Sequence, residues 1–210
     1  MYTRNEIHPT AIIGSEITIG KGNVIGPNTV IGGEIVIGDN NEFFGCTIGT
    51  PAQHRSFKSN HDGWVMIGSN NIIREYVTIH RSTDDSLPTV IGNNCYIMAC
   101  AHIPHDASIE SDVTICNNVL IGGHTHVMKG ATIGLGAIIH QYQTIGSYSM
   151  VGMGSIVPKG VWIEPGYVYV GSPAKQIKRN VVGLDRNGID DEMLFEEQNR
   201  WLAIKGRGHR

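Results

Sequence analysis

The chain has 210 residues and a formal charge of −3, which fits one globular domain with a small appendage. The near-balanced charge calls for no nucleic acid, and the apolar residues are spread singly rather than in a bilayer-spanning run of about 18. Met1-Tyr2-Thr3-Arg4-Asn5-Glu6 carries no apolar stretch of a signal peptide, so a cytoplasmic location is expected.

From Ile7 onward the chain repeats. Stepping by six to Ile163 visits 27 positions, of which 22 are Ile or Val, where their share of the chain predicts about 6. Glycine often follows the aliphatic residue, as in Ile19-Gly20, Ile91-Gly92 and Ile145-Gly146, which accounts for 27 glycines, nearly twice the average of ~7%. Six residues suit one short strand and a corner, so three hexads close a triangular coil of 18. Coils stack at roughly 4.8 Å with the aliphatic column facing the axis, an all-β parallel β-helix. Cys46, Cys95, Cys100 and Cys116 show no CxxC spacing and read as small buried hydrophobes.

The pattern fails at Phe43, mildly, then at Gly49, Arg55 and His61, and again at Asp85. Polar residues do not sit cheaply on the axis, so loops are expected at about 50–66 and 81–89, and loops on a rigid scaffold are where sites gather. After Ile163 the repeat ends, and Pro165 and Gly171-Ser172-Pro173-Ala174 lead to a different kind of sequence. The β-helix is therefore assigned to 1–174 and a short helical extension to 175–210. Asp190 or Asp191 caps a helix with Met193, Leu194, Trp201 and Leu202 on its apolar face, ending at Gly206. Too short to fold alone, it packs on the coil or on a neighbouring subunit. The basic tail Lys205–Arg210 follows.

Histidines concentrate between 98 and 142, in Ala101-His102-Ile103-Pro104-His105-Asp106, Gly122-Gly123-His124 and Ile139-His140-Gln141. The steps from His105 to His124 and from His124 to His140 are 19 and 16 residues, each close to one coil, so all three lie near one edge. Two chemistries compete. Three histidines suit zinc, although the His-x4-His spacing of hexapeptide-repeat carbonic anhydrases is absent. His105-Asp106 instead offers a general base beside a carboxylate, and the backbone N–H of Gly123, one coil above, can face an oxyanion.

Asn70-Asn71-Ile72-Ile73-Arg74-Glu75-Tyr76-Val77-Thr78-Ile79-His80-Arg81, Ala101 to Asp106, Gly122-Gly123-His124 and His140-Gln141-Tyr142 resemble, in order, the motifs of UDP-N-acetylglucosamine acyltransferases. These hexapeptide-repeat enzymes begin lipid A synthesis, and the resemblance covers most of residues 7 to 188. It implies a left-handed coil. It also implies that His105 deprotonates a sugar hydroxyl, with Asp106 its partner and Gly123 the oxyanion donor. By the same likeness His102, His124, His140 and Gln141 contact the nucleotide sugar or the acyl pantetheine, and Asn180 and Arg186 hold the uridine diphosphate. Met153 corresponds to a position that limits acyl length, so short or medium chains are expected. The implied donor is the phosphopantetheine thioester of acyl carrier protein, or acyl-CoA, and no bound cofactor or metal is implied. The implied group transferred is a (3-hydroxy)acyl group, and the implied acceptor is a UDP-amino sugar such as UDP-N-acetylglucosamine.

Three departures stand out. The Gln-Asp-Leu-Lys-Tyr motif of the first loop appears only as Gln53-His54-Arg55-Ser56-Phe57-Lys58, Asn187 replaces a second basic residue after Arg186, and the C-terminal region is short. An acetyl-CoA-dependent acetyltransferase on another nucleotide sugar is the alternative, followed by a metal-binding hydratase or a scaffold. A homotrimer is expected, because the flat faces of a triangular coil leave the histidine edge in need of a second wall.

Overall fold

The computed structural model describes residues 4–55, 57 and 63–205. From Glu6 the chain winds in triangular coils whose sides are strands of two to four residues, each coil laying one strand on each of three parallel sheets. Among the described residues these sheets, numbered in the order the chain meets them, hold ten, eight and seven strands. The axial column is the one the six-residue step marks, with Ile73, Ile79, Ile97, Ile103, Ile109 and Ile115 fully buried. Because side chains alternate along a strand, the residue before each axial aliphatic faces out and the one before that faces in again.

On the first sheet that inner place holds Asn23, Asn41 and Asn71, then Cys95, Val113, Ala131 and Ser149, all buried. The asparagines form a ladder. Asn41 donates through its backbone N and its Nδ2 to Asn23 Oδ1 at 2.8 and 2.9 Å, and Asn71 does the same to Asn41 at 2.9 Å each. The other Nδ2 protons of Asn41 and Asn71 go to Gly68 and Gly92 carbonyls, so burial costs these amides none of their donated bonds.

Asn23 and Asn41 are 18 residues apart, but Asn41 and Asn71 are separated by 30, and Asn71 and Cys95 by 24. The excess leaves the coil as two loops, one between strands Thr47–Thr50 and Val65–Ile67, the other between Thr78–His80 and Thr89–Ile91. Gly49, expected to loop out, instead stays in its strand. That coil is one residue short, and Ile48 takes the axial place, pairing with Ile31 below and Ile79 above. Gly49 has φ +79°, and a Cβ there would lie 1.9 Å from Gly32 O, so only glycine lets the shortened coil close. His61 and Lys58 lie outside the described residues.

The stack closes differently from the expected helical extension. Tyr167–Val170 adds a last parallel strand to the first sheet, and Lys175–Arg179 returns along it antiparallel. Helix α1 (Val181–Arg186) follows, then α2 (Asp191–Ile204), which Asp190 caps by accepting from Met193 N at 2.9 Å. Leu194 and Trp201 are buried, Leu194 against Tyr148 and Leu184, whereas Met193 and Leu202, expected on the same face, are exposed. Glu110 on the coil takes an ion pair from Arg200 of α2. Gly206 and the basic tail beyond Lys205 lie outside the described residues. Burial raises the Cys46 and Cys95 thiols to about 12 and about 11, but Cys100 is exposed rather than buried, at a corner with φ +63°. Among the described residues, no helix is long and apolar enough to cross a membrane.

Candidate active site

The edge between the second and third sheets carries the histidines. On three successive coils the corner there carries a residue with positive φ, namely Asp106, His124 and Tyr142, at +59°, +59° and +62°. Asparagine and glycine fill most such corners elsewhere; a ring in this conformation costs on the order of 1 kcal/mol, and such residues cluster at functional sites. One position earlier, His105, Gly123 and Gln141 lie above one another, tied by His124 N to His105 O and Tyr142 N to Gly123 O.

His105 is 8% exposed, and its Nδ1 lies 2.6 Å from Asp106 Oδ2. Thr83, from the second loop, donates its N–H to Asp106 Oδ1 and its hydroxyl to Oδ2, both at 2.8 Å. Burial alone would raise the Asp106 carboxyl, but hydrogen bonds from His105 and Thr83 outweigh it and hold the group below the usual range. An ionised carboxylate only accepts, so the His105 proton sits on Nδ1 and the Nε2 lone pair is left as the base.

The His105 ring rests on Gly123: a Cβ there would be 2.7 Å from Cε1 and 3.0 Å from Nε2. Among the described residues the Gly123 N–H makes no hydrogen bond. Free N–H groups recur at this corner position, at His105 and Gln141 for example; what sets Gly123 apart is the base lying over it.

His124 meets the His105 ring edge-on at 5.3 Å and stacks on Tyr142 at 4.5 Å. Burial lowers its pKa, His105 and His54 add to the fall, and Asp106 opposes it. His102, on the outer face of the second sheet, is brought down to about 4 by burial and then by His80 and His105, so it is neutral at pH 7. From the first loop the exposed His54 ring reaches His105, centroids 5.4 Å apart. Sequence reasoning assigned no role to His54, Thr83, His80 or Tyr142. A step of 18 from His124 marks Tyr142, but nothing in the repeat marks loop residues.

The other expected residues fall into two groups. His140 and Gln141 share the edge but are exposed, with His140 Nδ1 3.0 Å from Gln141 O. Met153, Asn180 and Arg186 lie elsewhere. Met153 is 74% exposed at the edge between the first and second sheets. Asn180 and Arg186 line a cavity of about 580 Å³ on the first sheet, with Thr132, Met150 and Val168 as its floor. Asn180 caps α1 by accepting from Gly183 N and donates Nδ2 to Tyr148 O at 2.8 Å, so its amide is largely committed within the chain.

His105, Asp106 and His124 are also the group whose ligand atoms come closest to a metal cage, within 4.8 Å of one another among the described residues. A tetrahedral zinc holds neighbouring ligand atoms roughly 3.3 Å apart. At 2.6 Å, His105 Nδ1 and Asp106 Oδ2 share a proton instead. The arrangement orients a base.

Residues 88–123 match the model of the bacterial transferase hexapeptide family (six repeats). The acyl-carrier-protein-dependent UDP-N-acetylglucosamine O-acyltransferase of Pseudomonas entomophila is 40% identical over 164 residues, 77% of this chain and 62% of that one. Its counterpart from Pseudomonas paraeruginosa is 37% identical over 147 residues, 69% of this chain and 56% of that one. The solved UDP-N-acetylglucosamine acyltransferase of Francisella novicida superposes with a TM-score of 0.75 at 32% identity, over 94% of this chain and 74% of that one. The chain belongs to the UDP-N-acetylglucosamine acyltransferase family. Its fold is accordingly the family's left-handed parallel β-helix with a short helical segment. The match spans little more than half the length of these two curated relatives.

Proposed function

We propose that the protein is a cytoplasmic acyltransferase of lipid A synthesis, moving a 3-hydroxyacyl group from the thioester of acyl carrier protein to a hydroxyl of UDP-N-acetylglucosamine. The observation that carries this reading is the His105–Asp106 bond, which leaves Nε2 as a base directly over Gly123. His105 takes the proton of the attacking hydroxyl, the new C–O bond forms at the thioester carbonyl, and the oxyanion faces the Gly123 N–H. Collapse breaks the C–S bond, and the thiolate recovers the proton from His105. The relatives are named for acyl carrier protein and UDP-N-acetylglucosamine, which favours this donor over acetyl-CoA.

The edge that bears His105 lies opposite the first sheet, which bears Arg186. If both serve one nucleotide sugar, they come from different copies, which supports a homotrimer with sites between subunits. In this assembly Arg186 takes the diphosphate, and Asn180 serves by capping the helix that carries it. Arg186→Ala should raise KM for the UDP-sugar about 10- to 100-fold, the loss of a charged hydrogen bond, with Tm nearly unchanged since Arg186 is exposed. Steady-state kinetics and thermal melts check this; a variant that unfolds removes Arg186 from the nucleotide site.

The acyl chain has a path along the second sheet. Leu120, Ile138 and Ile156 face outward in register above His102, all exposed, with Leu135 and Met153 at the adjoining edge. At a coil spacing of roughly 4.8 Å the strip is long enough for a medium chain, and each methylene kept from it forfeits ~0.8 kcal/mol. Met153 narrows its far end. Given short and long acyl-carrier donors in competition, the wild type should acylate UDP-N-acetylglucosamine from the shorter ones and Met153→Gly from longer ones. An unchanged profile sinks the length assignment, and transfer from acetyl-CoA alone sinks the donor assignment.

A further inference from the structure

The first loop sets His54 beside His105, and the next coil holds both of its ends. It leaves the coil at Pro51 and returns at Trp64, and both ends rest on the stretch His80-Arg81-Ser82 of the next coil. His80 is only 6% exposed, with Nδ1 2.8 Å from Pro51 O and 3.0 Å from Thr50 Oγ1. A carbonyl oxygen only accepts, so Nδ1 carries the proton that holds the loop's root. Arg81 N donates to Thr50 O at 3.0 Å while its guanidinium lies 5.7 Å from the Phe57 ring. Ser82 Oγ accepts from Trp64 N at 3.3 Å, and the next residue, Thr83, grips Asp106.

We infer that His80 is a positioning residue for acyl transfer: its Nδ1–H on Pro51 O fixes the first loop so that His54 stands against His105. The His102 ring packs edge-on behind it at 5.1 Å, which keeps the His80 ring from turning away. The kinetic consequence rests on the acyl-transfer reading; the clamp itself does not.

The test uses the full chain with His80→Ala and His80→Asn, followed by amide hydrogen exchange over residues 51–64 and by steady-state kinetics. The Ala variant should exchange at least about tenfold faster at the loop's root and lose about tenfold in kcat/KM, the worth of one buried hydrogen bond. Asn places Nδ2 on Cγ, where His carries Nδ1, and so should restore both. Unchanged exchange in the Ala variant overturns the inference, as does an Asn variant that exchanges as fast as Ala, or faster exchange with no fall in kcat/KM. Exchange needs no substrate: a wild type that transfers no acyl group defeats the proposed function, while exchange still decides whether His80 holds the loop.

Discussion

His105→Ala should abolish the proposed acyl transfer, with kcat reduced on the order of 10²-fold or more, the usual contribution of a positioned general base. The side chain lies on an outer edge of the coil, and the axial residues on either side, Ile103 and Ile109, keep their packing. Folding therefore persists, and a melting curve beside the rate measurement separates lost chemistry from lost structure. The substitution also removes the 2.6 Å imidazole contact of the Asp106 carboxylate, which keeps both Thr83 bonds and has His124 Nε2 still 3.4 Å away. Retention of most of the wild-type rate would remove His105 from the mechanism.

Gly123→Ala has a comparable effect by a different route. The backbone at Gly123 has ordinary φ, so alanine brings no strain there and should even reduce the entropy of the unfolded chain. What it brings is a Cβ 2.7 Å from His105 Cε1 and 3.0 Å from Nε2. The ring has to swing off the Asp106 carboxylate, which Thr83 holds in place, and a displacement of about 1 Å in a reacting group costs as much as 10²-fold. Stability should stay within about 1–3 kcal/mol of wild type, the range of modest overpacking. Combined with His105→Ala, the same substitution should cost little more, because the ring it displaces is already gone. A Gly123→Ala enzyme with wild-type kcat would show that contact with the ring is incidental.

The repeat made the axis legible from sequence, because a strand of two residues and a corner leave each hexad one place that must be apolar. The histidine edge was legible too, since a spacing near 18 stacks residues whatever their side chains. Slips were not. The short coil at Ile48 moves the axial residue by one, so a fixed step lands on Gly49 and reads an unbroken strand as a break. Lys175–Arg179 pairs antiparallel with the last coil through backbone bonds that side-chain period does not reveal. His54 and Thr83 reach the site from loops, whose path depends on what they meet rather than on periodicity. The outward apolar strip of Leu120, Ile138 and Ile156 and the cavity at Arg186 likewise depend on which faces the coil turns outward.

The asparagine ladder and the coil-to-coil pairing have a mechanical consequence. Contacts run mainly between each coil and its neighbours, so the molecule is close to a one-dimensional array in which disorder spreads rung by rung. The site draws on several consecutive rungs, from the loop at His54 to Tyr142. Fraying at residues 4–22 has to melt the Asn23 and Asn41 rungs before it reaches Pro51, whereas one opened rung between Thr83 and Tyr142 separates His105, Asp106 and Gly123 from one another.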